Sequence, residues 1–139
     1  MNTSHFRLVY NRFAPVVARV IFGCMFLMGA AFKAPGTQGF VMESGMTAAM
    51  GVPYASIFVA LAFLLEVVGG VCIIIGWHTR AAAFVLAAFT LALALIFYTN
   101  FSDQMVMGEF ISHLGLIAGL LFVSVYGAQS VAVRKDWAS

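Results

Sequence analysis

Four stretches of this chain stay apolar for about twenty residues each: from about Phe13 to Phe32, Tyr54 to Gly76, Thr79 to Tyr98 and Met107 to Tyr126. A helix rising 1.5 Å per residue crosses the roughly 30 Å hydrocarbon core of a bilayer in that length. Lipid offers the backbone no hydrogen-bond partners, so each stretch is predicted to be a transmembrane helix. Their ends carry suitable markers. Pro53 precedes the second, Trp77 and His78 follow it, Tyr98 closes the third, and Tyr126-Gly127 closes the fourth. Interfacial aromatics of this kind sit at headgroup level.

The connections are predicted to differ. Trp77 to Arg80 reads as a tight turn, and Thr99 to Val106 as a short polar loop containing Asp103. The longer segment from Ala34 to Pro53 reads as a turn at Pro35-Gly36 followed by a short helix, with Thr37 as N-cap and Gly51 and Pro53 as the stop. Phe40, Val41, Met46 and Met50 give that helix one apolar side. It suits an interfacial or re-entrant helix that lids the outer mouth of the bundle, with an ordinary surface loop as the alternative. The predicted architecture is therefore all-α: a single domain over residues 1–139, a four-helix transmembrane bundle with a short interfacial helix in the first outer loop.

Composition agrees. At 63% hydrophobic and 9% charged, with a mean hydropathy of +1.03, the chain is too apolar to be hidden in a soluble core of 139 residues. The lipid bilayer is its expected main partner, and no nucleic-acid patch is present. Arg7, Arg12, Arg80, Arg134 and Lys135 fall at one end of the predicted bundle; Lys33 falls at the other, with Glu43, Asp103 and Glu109. The positive-inside rule then predicts both termini in the cytoplasm. Arg7 and Arg12 precede a span-length run without a clean cleavage pattern, which predicts a retained first helix rather than a signal peptide. Cys24 and Cys72 lie at depths roughly 10 Å apart by helical rise. A disulfide needs Cα atoms within about 7 Å, so buried, unpaired thiols are expected.

The charges inside the spans are the candidates for chemistry. Ionisable groups in hydrocarbon cost several kcal/mol each on conservative scales, about 2.5–3.5 kcal/mol, and usually face the bundle interior with a partner. Arg19, Gly23, Phe26, Ala30 and Lys33 recur at helical spacing on one face of the first span, and Ala62, Glu66, Gly70 and Ile73 on one face of the second. Arg19 is placed about one turn nearer the cytoplasm than Glu66, within reach of a long side chain, so a buried Arg19–Glu66 ion pair is predicted, structural or functional. His113, after Ser112 and one turn beyond Glu109, is expected to join Tyr98, Asn100 and Lys33 in a polar cluster at the outer end, open to a ligand or a proton. Phe26 and Phe63 are the expected cavity lining. Gly23, Gly69, Gly70 and the Gly115–Gly119 GxxxG pair are expected to let helices approach closely, within one bundle or between copies. No metal-ligand set, phosphate loop, dinucleotide fingerprint or nucleophile triad is evident.

The order of several short motifs resembles the DoxX family of small four-helix bacterial membrane proteins, in its YqjF-like branch. The carriers are Arg19-Val-Ile-Phe-Gly23 with Gly29 and Lys33, Gly36-Thr37-Gln38, Met50-Gly51-Val52-Pro53, and Leu64-Leu65-Glu66-Val-Val-Gly69-Gly70. Gly76 with Thr79-Arg80, Phe89-Thr90-Leu91, Asn100-Phe101 and Leu114 to Leu121 complete a resemblance running from about Ala18 to Ser130. The chain departs from it at Ser112-His113, where the family usually has Lys-Asn, at Tyr98, where relatives often carry His, and near Ala132, where an acidic residue is common. The resemblance implies a bacterial inner-membrane, multi-pass protein and an association with oxidoreductase systems, the family being named for a membrane component of a thiosulfate:quinone oxidoreductase. Fold alone does not transfer function. Three readings follow: a quinone-associated membrane component of an oxidoreductase, with quinone as ligand and a partner carrying electrons; a non-enzymatic accessory or assembly subunit docking other membrane subunits or its own copies; and a small-solute or proton pathway.

Overall fold

A computed structural model describes residues 3–129 and 132, with side chains from Arg7 onward. The elements are α1 (Thr3–Phe32), α2 (Gln38–Ala49), α3 (Ala55–Ile75), α4 (Thr79–Phe97) and α5 (Gln104–Tyr126). Among the described residues, α1, α3, α4 and α5 are long and apolar enough to cross a membrane, as the four hydrophobic runs predict. Two helices start earlier than those runs. α1 begins at Thr3, because polar turns outside hydrocarbon still make helix hydrogen bonds. α5 begins at Gln104, where the Asp103 side chain accepts from the Met105 N–H at 2.8 Å and caps it.

The predicted short helix forms as α2. Thr37 is its N-cap, accepting from the Phe40 N–H at 3.1 Å. Its own hydroxyl has one proton to share between the Ala34 carbonyl at 2.8 Å and the Phe32 carbonyl at 2.9 Å, tying the end of α1 to the start of α2. The α3–α4 turn is tight, as predicted. Gly76 closes α3 in the left-handed region at φ +76°, and the Gly76 and Trp77 N–H groups both bond to the Cys72 carbonyl.

Small residues set the packing. α1 runs against α3 and α4 against α5, α3 joins the two pairs, and α2 leans on α3. A methyl at Gly23 would lie 2.7 Å from the Gly70 carbonyl oxygen, and one at Gly70 would lie 3.0 Å from the Gly23 carbonyl. The two backbones therefore touch at this crossing. Gly69 admits Leu86 of α4, and Gly119 of α5 admits the Phe22 ring of α1. Gly115 faces open space, so only one half of the GxxxG pair packs within the bundle. The core gathers Phe26, Ile73, Ala83, Leu86, Ala87 and Leu120, while Leu61, Leu64, Phe84, Leu95 and Phe122 point outward as lipid-facing surface does. Both cysteines are free. Cys72 is buried as expected, but Cys24 faces outward, one position off the buried Gly23 stripe. The bundle's first and last spans begin and end at one end, here the terminal end; α2 and the α4–α5 loop mark the opposite one. Arg134 and Lys135, two of the cations at the predicted cytoplasmic end, lie outside the described residues.

Candidate functional site

The two charged faces read from helical spacing are both buried. Arg19, Gly23, Phe26, Ala30 and Lys33 turn inward on α1, and Ala62, Glu66, Gly70 and Ile73 on α3. The ion pair they form is not the predicted one. Glu66 Oε1 accepts from Lys33 Nζ at 3.0 Å, with Glu66 5% and Lys33 7% exposed. The Gly23–Gly70 contact fixes this register. Because α1 and α3 run antiparallel, it sets Glu66 opposite Gly29, where a methyl would lie 3.3 Å from Glu66 Oε2. Lys33, one turn further along α1, is the cation that reaches. Arg19 instead lies beside Gly76. Glu66 precedes Gly76 by ten residues, roughly 15 Å of helical rise, so the expected one-turn gap between Arg19 and Glu66 is too small.

Lys33 has a second carboxylate. Glu43 Oε2 of α2 lies 3.5 Å from Nζ, with its side chain 31% exposed. One ammonium thus bridges a carboxylate on the short helix and a carboxylate on a span. Glu43 was not singled out in sequence, since nothing in the spacing of α2 says which span it will face. The only signal was an acid on a helix predicted to cover the mouth.

These groups line a cavity of about 390 Å³ at the α2 end, within the roughly 300–1,000 Å³ range of small-molecule sites. α1 contributes Met25, Phe26, Gly29, Phe32 and Lys33, and α2 contributes Met42, Glu43, Met46 and Thr47. Glu66 comes from α3; Phe89, Thr90, Leu93, Phe97 and Tyr98 come from α4 and its C-cap; His113 and Leu116 come from α5. The walls are mostly aromatic, Met and Leu, with Thr47, Thr90 and two groups of polar side chains among them. On one wall stands the Lys33–Glu66 pair, whose Glu66 Oε2 is buried with no hydrogen-bond partner. On the other stand Tyr98 and His113, their rings 4.6 Å apart and tilted by 43°.

His113 Nδ1 lies 2.7 Å from the Glu109 carbonyl. A carbonyl only accepts, so Nδ1 carries a proton in this contact. Tyr98 follows the last residue of α4, and burial, then the charges of Glu109 and Glu43, push its phenol above the ordinary value of 10.0. At neutral pH it is a donor. Thr90, within the Phe89-Thr90-Leu91 motif, also lines the cavity, with its hydroxyl bonded to the Leu86 carbonyl at 2.7 Å.

Of the expected polar cluster, Lys33, Tyr98 and His113 meet here. Asn100 is exposed in the α4–α5 loop, away from this cavity. Ser112 is exposed, its hydroxyl turned back to the Gly108 carbonyl at 2.9 Å. Phe26 lines the cavity as expected; Phe63 is half-buried, one position off Ala62 at the edge of the α3 face, and does not. No group of three or more His, Cys, Asp or Glu side chains able to hold a metal occurs among the described residues.

A chain whose described residues are all-helical, with four bilayer-length helices and a charge-lined cavity under a fifth, shorter helix, is an integral, multi-pass membrane protein. The DoxX family profile matches residues 14–99. The chain is 30% identical over 126 residues to the inner membrane protein YqjF of Escherichia coli (strain K12), covering 88% of this chain and 93% of that one. It therefore belongs to the DoxX family, and its place is the inner membrane. No solved structure matches it.

Proposed function

We propose that this protein is the quinone-binding membrane component of an oxidoreductase system, holding a quinone or quinol head group in the cavity beneath α2. One observation carries the reading: Glu66 Oε2 is buried without a hydrogen-bond partner, and Glu66 lines a cavity walled mainly by Phe, Met and Leu. A buried polar atom without a partner costs about 1–3 kcal/mol, and a ligand hydroxyl would satisfy it. The flat aromatic lining suits a planar ring, and the two polar walls suit oxygens at its opposite edges. Lys33 and Tyr98 donate to carbonyl oxygens; Glu66 Oε2 and His113 Nε2 accept from hydroxyls. A bound quinone would supply the two-electron chemistry, and a partner protein would carry the electrons. The chain's own side chains bind the ring, orient it and hold its protons. The cavity end faces the periplasm in this reading, following the Lys and Arg distribution.

The test is binding of a short-chain quinone to the purified, lipid-reconstituted protein, alongside mass spectrometry of what co-purifies with it. Saturable binding is expected, weakened at least about tenfold, or 1.4 kcal/mol, by Glu66→Gln. Absence of binding, or binding that Glu66→Gln leaves unchanged, overturns the reading. A stoichiometric membrane complex with no quinone in it would then make this chain an accessory subunit.

A further inference from the structure

We propose that Glu43 is the proton port of this cavity, the group through which Glu66 exchanges its proton with the aqueous phase by way of Lys33. The inference rests on reading Glu66 as a proton-exchanging wall of the site. Its basis is the bridge of 3.0 Å from Lys33 Nζ to Glu66 and 3.5 Å from the same nitrogen to Glu43. The bridge spans a gradient of exposure, from a Glu66 side chain at 6% to a Glu43 side chain at 31%. Glu66 is the deeper of the two acids, and Glu43 is the one that reaches the surface.

Charge gives the proton a reason to be there. One ammonium faces two carboxylates. In a low-dielectric cavity the excess negative charge is balanced by a proton or by a cationic ligand. The remaining titratable groups at the cavity are Tyr98 at the end of α4 and His113 on α5. Tyr98 holds its proton tightly, since burial and the Glu109 and Glu43 charges raise its phenol above 10.0. His113 is bonded through Nδ1 to the Glu109 carbonyl on its own helix. Neither is hydrogen-bonded to Glu66, whereas Lys33 is.

The transfer is a concerted shuttle in which nothing is oxidised. An N–H bond of the Lys33 ammonium breaks as its proton passes to Glu43 Oε2. The freed lone pair on Nζ takes the proton held by the Glu66 carboxyl, which restores the ammonium. Glu43 then gives its new proton to water. The net change is one proton moved from Glu66 to the aqueous phase, and uptake runs in reverse. An ammonium can pass on a proton and take up another in this way; a guanidinium, which stays protonated, cannot.

The experiment is a pH jump on full-length protein in nanodiscs without quinone, read by difference infrared. The carboxyl C=O band of Glu66 is assigned by its loss in Glu66→Gln. Glu43→Gln is expected to slow the appearance and decay of that band at least about tenfold. Glu43→Asp, or added formate in Glu43→Gln, restores the rate. Lys33→Arg keeps the positive charge and slows exchange as Glu43→Gln does. Wild-type exchange rates in both Glu43→Gln and Lys33→Arg overturn the port, as does a wild-type Glu66 that shows no carboxyl band at any pH. The two readings fail separately. Absent quinone binding with slowed exchange removes only the ligand, while Glu66-dependent quinone binding with unslowed exchange removes only the port.

Discussion

Lys33 is the residue on which the site turns, because two helices besides its own depend on its charge. Removing one partner of a buried ion pair typically costs about 3–5 kcal/mol. Lys33→Met is expected to lie in that range, because it strands Glu66 and releases Glu43 together. Glu66→Gln should cost less, since Lys33 keeps Glu43. A double-mutant cycle measured by reversible unfolding in micelles should give Lys33 and Glu66 a coupling above about 1 kcal/mol, and Arg19 and Glu66 one within about 0.5 kcal/mol. Strong coupling of Arg19 to Glu66 would mean that α1 and α3 meet in a different register. The sequence made all three charges visible, since ionisable residues in apolar runs are few and helical spacing says which way they face. Their pairing was hidden. Periodicity fixes the face of a helix, whereas the depth at which two faces meet is fixed by where the backbones touch, at Gly23 and Gly70.

At the scale of the elements, glycines with similar sequence context have different fates. Gly119→Leu should displace the Phe22 ring and destabilise the bundle by roughly 1–3 kcal/mol, as overpacking does, whereas Gly115→Leu, facing open space, should leave the thermal midpoint in detergent unchanged. Equal losses from the two would place a second surface against Gly115. α2 has its own determinant. Thr37→Ala removes the cap and should cost about 1 kcal/mol, read as faster hydrogen exchange confined to α2. Exchange rising equally in α3 would instead show α2 and α3 opening as one unit. The existence, length and cap of α2 were legible from Thr37, Gly51 and Pro53. Its contribution to the site was not, because Glu43 meets Lys33 only after the chain has turned back at Pro35-Gly36.

For the molecule as a whole, the four-span bundle follows directly from hydropathy, and the proposed orientation can be checked without reference to ligand. A cysteine at Ser102, exposed in the α4–α5 loop, should react with a membrane-impermeant maleimide added outside the cytoplasmic membrane of intact spheroplasts. The outward-facing Cys24 is replaced beforehand. Labelling only after lysis would turn the protein over and put the cavity on the cytoplasmic side. The order of synthesis gives the Lys33 bridge a further consequence. Lys33 and Glu66 are 33 positions apart, so the ribosome delivers the ammonium well before its deepest partner exists. Glu43 comes first. In the proposed orientation, with both termini in the cytoplasm, the nascent first span would cross the bilayer with an uncompensated cation at its leading edge, and the acid on α2 is the earliest group able to shield it. Glu43→Gln should then lower the yield of correctly inserted chains more than it lowers the stability of those already assembled, a difference that separates a helper in biogenesis from a strut in the finished fold.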